Sequence, residues 1–362
     1  MRRLFRIAFI SVLTLVVLGG ASLLLFGRDS HRNLSGSISE QLDQYLSNQE
    51  FQGTVLISKD GEVLFEKGYG IAAANVQNST DTLYQIASLS KSFTAVAIMQ
   101  LAEKQLLTVD DPLSIYFPDF PNADTITIGH LLSHSSGIPD YLKPDYQFDY
   151  SKEWDPNEII GVVRNEPLEF TPGESFSYSN SGYVLLGLII EQVSGQPYSD
   201  YIEEHIFKPS GMQNSMFETK EGSPVAEGHV EGKLGPLMHD SAAYAAGDII
   251  STAEDLALFD EALRQNFLVS EETSKMMGTT HASKFPYRYG YGWYTQDVMG
   301  HKAVGHSGGY PSGFRHYVAR LQDEELTVIV LSNEMTVNSK KINRNLTSIV
   351  LQKPIWIWEE IF

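Results

Sequence analysis

Cysteine is absent from the 362-residue sequence, so neither disulfide bonds nor thiolate ligands for a metal ion are available. Basic residues are scarce: 26 Lys and Arg stand against 45 Asp and Glu, and the formal net charge is -19 at pH 7. Such a chain repels the phosphates of nucleic acids, so we expect no nucleic acid partner. The hydrophobic content of 42% is enough for one large core or two modest ones.

A long apolar run occurs at the N-terminus. Residues 7–26 are uncharged and mostly apolar, and three of the six residues before them are arginines. About 20 such residues can cross a bilayer as a helix, and the arginines favour the cytoplasmic side. The sequence therefore predicts a signal-anchor within residues 1–29, a membrane contact through residues 7–26 and a body on the extracytoplasmic face. Cleavage near residues 19–21 remains open and would give a secreted protein.

Strand and helix patterns lie at both ends of the remaining chain. A helix over residues 37–48 begins with the capping-box pair Ser37 and Glu40, and strand-like runs over 54–58 and 62–69 follow. Toward the other end, apolar patterns predict four strands, over residues 292–295, 301–306, 314–321 and 326–331. A closing helix is indicated by Ile342, Leu346 and Ile349.

These patterns predict an α+β fold, in which an antiparallel sheet built from both chain ends is flanked by helices. Residues of about 106–286, where helix and turn patterns prevail, would form a helical insertion. The clearest helix there covers 251–267, with Ser251 and Glu254 as a second capping box. We expect one domain over residues 30–352 and a short tail over 353–362.

Ser88 and Lys91 form the most informative motif. A helix is predicted from about residue 88 to 104, and a spacing of three residues places both side chains on one face near its start. A serine hydroxyl needs a base to become a nucleophile, and burial together with the helix dipole can lower the pKa of a lysine enough for that role. The alternative is a serine N-cap followed by a solvated lysine.

Two further motifs follow in the chain. Tyr178-Ser179-Asn180 lies in a turn-rich run just before an apolar helix, and His306-Ser307-Gly308 lies on a strand-like stretch. Asn180 could simply be the N-cap of its helix, and His306 a buried strand histidine. Serine–lysine, tyrosine–asparagine and histidine–glycine motifs in this order are much more specific than any one of them alone.

With these motifs the chain resembles the serine β-lactamase-like superfamily, which includes class C β-lactamases, D-alanyl-D-alanine carboxypeptidases and related esterases. The resemblance runs from about residue 37 to 333. It includes the flanking segments 131–137 (LLSHSSG), 289–293 (YGYGW) and 331–333 (LSN). It implies a β-lactamase/transpeptidase-like fold and an acyl-enzyme mechanism without a cofactor or a metal ion.

The resemblance also implies a role for each motif residue. Ser88 would be the nucleophile, Lys91 its base, and Tyr178, as a phenolate or through a proton shared with Lys91, the proton shuttle. Asn180 would bind a substrate amide, and His306, with a positive charge that fades across neutral pH, would position the substrate or its carboxylate. The N–H groups of Ser88 and Gly309, next to Gly308, would form an oxyanion hole.

The expected substrates are D-alanyl peptides of cell-wall type, β-lactams or small esters. Class C β-lactamases carry a lysine where His306 stands, whereas the peptidases and esterases of the superfamily share a histidine there. The alternative function is a membrane-anchored receptor that β-lactams or muropeptides acylate with little turnover.

Two other motifs lack the context that they require. Residues 305–309 match the G-x-S-x-G nucleophile elbow, but a strand-like stretch follows where the elbow needs a helix. His130 and His134 are four residues apart, as in some zinc sites, but no glutamate lies between them and no third ligand is evident. Packing or helix capping is the favoured interpretation of both histidines.

Overall fold

One antiparallel sheet of eight strands receives strands from both ends of the described chain. The structure is a computed structural model that describes residues 33–219, 223 and 225–355. The strands are β1 (Gly53–Lys59), β2 (Glu62–Tyr69), β3 (Ala282–Lys284), β4 (Tyr287–Tyr289), β5 (Tyr294–Val298), β6 (His301–Gly309), β7 (Arg315–Leu321) and β8 (Leu326–Ser332). Their order is β2-β1-β8-β7-β6-β5-β4-β3, and Thr54 on β1 lies opposite Leu331 on β8. The predicted fold is confirmed.

Helices cover both faces of this sheet. They are α1 (Ile38–Asn48), α2 (Ser90–Glu103), α3 (Ile128–Leu132), α4 (Pro156–Gly161), α5 (Asn180–Ser194), α6 (Tyr198–Ile202), α7 (Lys208–Ser210), α8 (Ala253–Arg264), α9 (Glu271–Met277) and α10 (Ser339–Leu351). Helices α1 and α10 pack on one face, and α2, α5 and α8 belong to the larger core on the other.

The alternation of side chains along the strands separates these two cores. On β8, Val328 and Val330 belong to the core under α1 and α10, whereas Ile329 and Leu331 belong to the core under the helical region. Successive side chains of a strand point to opposite faces, so a strand with apolar residues at every position is buried on both sides. The sheet is therefore the middle layer between two sets of helices.

Helix α2 is buried on every side. All residues from 90 to 101 are buried, as expected for a helix that passes through a core rather than along its surface. It packs against α5 and against a short 3-10 turn, Tyr244–Ala246. A charged side chain near the start of α2 therefore has no contact with bulk water.

The helix predicted over residues 251–267 differs from the observed one at its start. Helix α8 begins at Ala253, and Thr252 is its N-cap, since its side chain accepts a hydrogen bond from the Asp255 N–H. Ser251 instead pairs with Tyr84 in a short two-stranded ladder. The predicted Ser251–Glu254 capping box is therefore wrong, whereas the one between Ser37 and Glu40 is confirmed.

The predicted membrane segment, residues 7–26, and most of the predicted tail lie outside the described residues. Within the described ranges, no helix is both long and apolar enough to cross a membrane. The membrane contact stays a prediction.

Candidate active site

Ser88 lies on a tight turn that leads into α2. Residues Ala87–Leu89 form a 3-10 turn, and the α-helix begins at Ser90, two residues later than the sequence indicated. Ala87 has a φ of 51°, in the left-handed region that residues with a side chain seldom adopt. Ser88 is partly exposed between two buried neighbours. The turn therefore presents the Ser88 hydroxyl at the N-terminal end of α2.

Lys91 is fully buried, and its Nζ atom makes three hydrogen bonds. Nζ lies 3.0 Å from Ser88 Oγ, 2.7 Å from Asn180 Oδ1 and 2.7 Å from the carbonyl oxygen of Ala246. Burial lowers the pKa of Lys91 to about 7, although the charge of Asp140 opposes this shift. The amine form is therefore available at neutral pH. The carbonyl oxygens of Asn180 and Ala246 can only accept, so they take two N–H groups of Lys91 in either form. The third position of Nζ donates to Ser88 Oγ when the lysine is charged and offers a lone pair to the Ser88 hydroxyl when it is neutral.

Tyr178 lies beside both residues. Lys91 Nζ is 5.1 Å from the centre of the Tyr178 ring. Burial, with Tyr294 nearby, raises the pKa of Tyr178 well above its usual value, and a hydrogen bond with the Ser88 side chain opposes this only in part. The phenol is therefore protonated at neutral pH. The phenolate that the sequence suggested as one form of Tyr178 is therefore wrong for the free protein. The other form, with a proton shared between Tyr178 and Lys91, stays a prediction.

A buried histidine holds the segment that carries Tyr178. His134 Nδ1 accepts a hydrogen bond of 3.2 Å from the Ser179 N–H, and its ring centre lies 4.2 Å from that of Tyr178. The other histidine of the candidate zinc pair, His130, completes a capping box with Thr127 at the start of α3. Capping is thus confirmed for His130, and packing for His134.

Asn180 connects Lys91 to a carboxylate. Its Nδ2 atom lies 3.0 and 3.2 Å from the two carboxylate oxygens of Asp140, while its Oδ1 accepts from Lys91. Asn180 is the first residue of α5, and Ser179 occupies the N-cap position. The capping interpretation of Asn180 is therefore wrong. Its contact with a substrate amide stays a prediction.

His306 is fully buried on β6, and both of its ring nitrogens are bonded. Nδ1 donates to the Ser307 carbonyl oxygen at 2.7 Å, so Nε2 accepts from the Tyr289 hydroxyl at 2.8 Å. Burial, with the charge of Lys91, lowers the pKa of His306 to about 3. The ring is therefore neutral, and the expected positive charge at His306 is wrong. The cause is burial, because the ring points from the strand into the protein.

Strand β6 runs close against the turn that carries Ser88. A Cβ atom on Gly308 would lie only 2.3 Å from the carbonyl oxygen of Ile86, so glycine alone fits at this point. Gly309, the next residue, ends the strand. The turn and the end of β6 are thus neighbours, which an oxyanion hole made by the N–H groups of Ser88 and Gly309 requires. That oxyanion hole stays a prediction.

The rival serine motif has no elbow geometry. Residues 305–309 all lie within β6, and strand β7 follows instead of a helix. Ser307 is exposed, while its neighbours His306 and Gly308 are buried. The structure therefore confirms that Ser307 does not lie on a nucleophile elbow.

Two contacts of the site carry no signal in the sequence motifs. The Ala246 carbonyl binds Lys91 through the backbone, so its residue type is uninformative. Asp140 lies three residues beyond the segment 131–137, and the turn residues Gly137 and Pro139 were the only sign of a fixed loop there.

Comparison with known proteins gives a consistent result. Residues 38–350 match the family model described as Beta-lactamase. The chain is 36% identical over 264 residues to the putative penicillin-binding protein PbpX of Bacillus subtilis (strain 168), which covers 71% of this chain and 65% of that protein. The chain therefore spans slightly less than two thirds of that relative.

Two solved structures are similar in fold. The octameric penicillin-binding protein homologue from Pyrococcus abyssi has a TM-score of 0.78 and 32% identity, covering 87% of this chain and 77% of the other. The D-amino acid amidase from Ochrobactrum anthropi SV3, complexed with L-phenylalanine, has a TM-score of 0.76 and 25% identity, covering 87% and 97%.

Proposed function

The chain belongs to the beta-lactamase family, and on that premise we propose that it is a serine hydrolase whose substrate acylates Ser88. The observation that carries the proposal is the position of Lys91. Its buried Nζ lies 3.0 Å from Ser88 Oγ, and its pKa is lowered to about 7. A neutral amine with its lone pair toward a serine hydroxyl is the arrangement that general-base activation needs.

The proton path follows from the ionisation of each group. Lys91 accepts the Ser88 proton as Oγ attacks the carbonyl carbon. Tyr178 is protonated and lies beside Lys91, so it can donate its proton to the leaving group and regain one from Lys91. In the second half-reaction, Lys91 takes a proton from the attacking water by way of Tyr178, and this proton returns to Ser88 Oγ as the bond between Oγ and the acyl group breaks. The N–H groups of Ser88 and Gly309 would stabilise the oxyanion by about 3–4 kcal/mol per donor.

We propose D-alanyl peptides, β-lactams or small esters as substrates. The relatives named as penicillin-binding proteins and the D-amino acid amidase support acyl transfer at peptide-like carbonyl groups. The neutral His306 offers no charge to a substrate carboxylate, which favours esters and amides that need no cation at that position. The protein would act on the extracytoplasmic face of a membrane, in keeping with residues 7–26.

Mass spectrometry of the intact protein tests this proposal. The chain is incubated in turn with a β-lactam, a D-alanyl-D-alanine peptide and a nitrophenyl ester, and the mass and released product are followed. We expect an adduct on Ser88 that disappears as product forms with at least one of the three. An adduct that persists with every compound would favour the receptor alternative, and the absence of any adduct would contradict acylation.

A further inference from the structure

The side chain of Asn180 has an orientation that its two partners determine. An asparagine amide can be turned over, which exchanges its oxygen and its nitrogen. On one side of it, at 2.7 Å, lies the Lys91 amine, which in its neutral form can donate or accept, and on the other lies the carboxylate of Asp140, which can only accept. Only one of the two orientations satisfies both neighbours.

Asp140 is itself held firmly in place. The hydroxyl of Ser181 on α5 donates to the Pro139 carbonyl at 2.7 Å and accepts from the Tyr141 N–H at 3.0 Å. One side chain thus fixes the backbone on both sides of Asp140. The Asp140 carboxylate also accepts from the Leu142 N–H at 3.2 Å and from the backbone N–H of Asn180 at 3.3 Å. The carboxylate can therefore act as a fixed reference for the Asn180 amide.

The orientation matters for the lone pair of Lys91. With Oδ1 toward the amine, Asn180 accepts one N–H, and the lone pair remains for the Ser88 proton. In the reversed orientation, Asn180 Nδ2 would point a hydrogen at that amine and compete with Ser88 for the lone pair. The reversed orientation would therefore disable the base without moving it.

We propose that Asp140 is a positioning residue for acylation, because its carboxylate holds the Asn180 amide with the oxygen toward Lys91 and so reserves the lone pair for Ser88. This inference rests on the proposed function, in which Ser88 is the nucleophile and Lys91 the base. Asp140 does not touch the reacting atoms; it acts through Asn180.

Asp140 also has a second, measurable effect, which is on the pKa of Lys91. The ionisable groups that face Lys91 are Asp140, Tyr178, Tyr183, His134 and His306. Burial raises the pKa of both tyrosines and lowers that of both histidines, so these four groups are neutral near pH 7. Burial raises the pKa of Asp140 as well, although its hydrogen bonds and the charge of Lys91 oppose this. Of the ionisable groups that face Lys91 within the described residues, Asp140 is the one whose charge stabilises the charged form of the lysine. Its removal lowers the pKa of the lysine further.

The test is Asp140→Asn in the full chain. The new amide can donate or accept, so it no longer selects one orientation of Asn180. We expect kcat/KM for a nitrophenyl ester to fall by about 10- to 100-fold, as for a misplaced catalytic group. We also expect the rising limb of the pH–rate profile to move to lower pH. A purely structural defect would reduce activity equally at every pH.

Asp149→Asn is the matched control, since this exposed carboxylate has local partners: it accepts two hydrogen bonds from Ser151. Asn180→Ala, alone and combined with Asp140→Asn, completes a double-mutant cycle. If Asp140 acts through Asn180, the two losses do not multiply.

An Asp140→Asn profile that matches that of Asp149→Asn would overturn the inference, and so would losses that multiply in the double variant. Ser88→Ala separates this failure from that of the proposed function. If Ser88→Ala still forms the adduct, the proposed nucleophile is wrong. If Ser88→Ala abolishes the adduct and Asp140→Asn behaves like its control, only the positioning role is wrong.

Discussion

Tyr289 donates a hydrogen bond of 2.8 Å to Nε2 of His306, and this bond fixes the tautomer of a ring that burial keeps neutral. The His306-Ser307-Gly308 motif therefore contributes geometry to the site, through a strand that lies against the Ser88 turn, rather than charge. The charge that changes near neutral pH belongs to Lys91, on a different element.

The pH dependence of acylation should therefore follow Lys91. Its pKa of about 7 means that the amine form increases as the pH rises through 7, and the acylation rate should rise with it. Because His306 has a pKa of about 3, it should not titrate between about pH 5 and 8. Stopped-flow pH–rate profiles on a neutral ester and on an ester bearing a carboxylate should show the same limb. An extra step near about pH 6.5 with the acidic ester alone would contradict this.

Ser88→Ala should abolish covalent labelling and turnover, because every later step starts from this hydroxyl. Losses up to about a million-fold are expected when the nucleophile of a serine hydrolase is removed. Ser307→Ala is the control, since Ser307 is exposed on β6. If Ser307→Ala were inactive and Ser88→Ala active, Ser307 of the elbow motif would be the nucleophile.

Tyr178→Phe should slow acylation and let the acyl-enzyme accumulate, because the phenol handles a proton in both half-reactions. The ring would still pack on His134, whose ring centre is 4.2 Å away, so the unfolding midpoint should change little. Quenched-flow mass spectrometry measures the acylated fraction with time. Equal slowing of both steps without accumulation would place Tyr178 outside deacylation.

His134→Phe should destabilise the protein. The new ring keeps the aromatic contacts, but it removes the acceptor of the Ser179 N–H, and an unpaired buried N–H costs about 1–3 kcal/mol of unfolding free energy. Urea unfolding measures the loss. His281→Phe is the control, because His281 is exposed and water can replace its bond to the Met276 carbonyl. Similar losses of unfolding free energy in both variants would show that the bond from the Ser179 N–H to His134 contributes nothing special to stability.

Residues 7–26 should keep the chain in the membrane fraction through a high-salt wash, since about 20 apolar residues suffice to span a bilayer. Deletion of residues 1–29 should release it in folded form. N-terminal sequencing is the deciding measurement, because a mature protein that begins at Ser22 would mean a cleaved signal and a secreted enzyme.

The sequence predicts the local features of the site well and the long-range ones poorly. The contact between Ser88 and Lys91 depends on a spacing of three residues, which is one turn of the 3-10 segment that leads into α2. The sheet follows from strand patterns at both ends. The Asp140–Asn180 contact joins residues 40 positions apart, and neither residue type nor spacing indicates such a pair.

Burial explains the two errors at ionisable residues. A strand pattern locates His306, but it does not tell which side chains point into the protein, and that direction sets whether the ring carries a charge. The same holds for Tyr178, whose phenol stays protonated because it is enclosed. Tertiary packing, which the motifs do not encode, decides both.

The pairing of Thr54 with Leu331 means that the sheet is complete only when the C-terminal strand β8 is present. A chain still being synthesised or threaded across a membrane already contains Ser88, Lys91 and Tyr178, but it lacks β6 and β8 until its last part emerges. Until then β1 has an unpaired edge, and the Ser88 turn lacks the strand that lies against it. If Ser88 is the nucleophile, as proposed, we expect it to become active only after β6 and β8 have been added to the sheet.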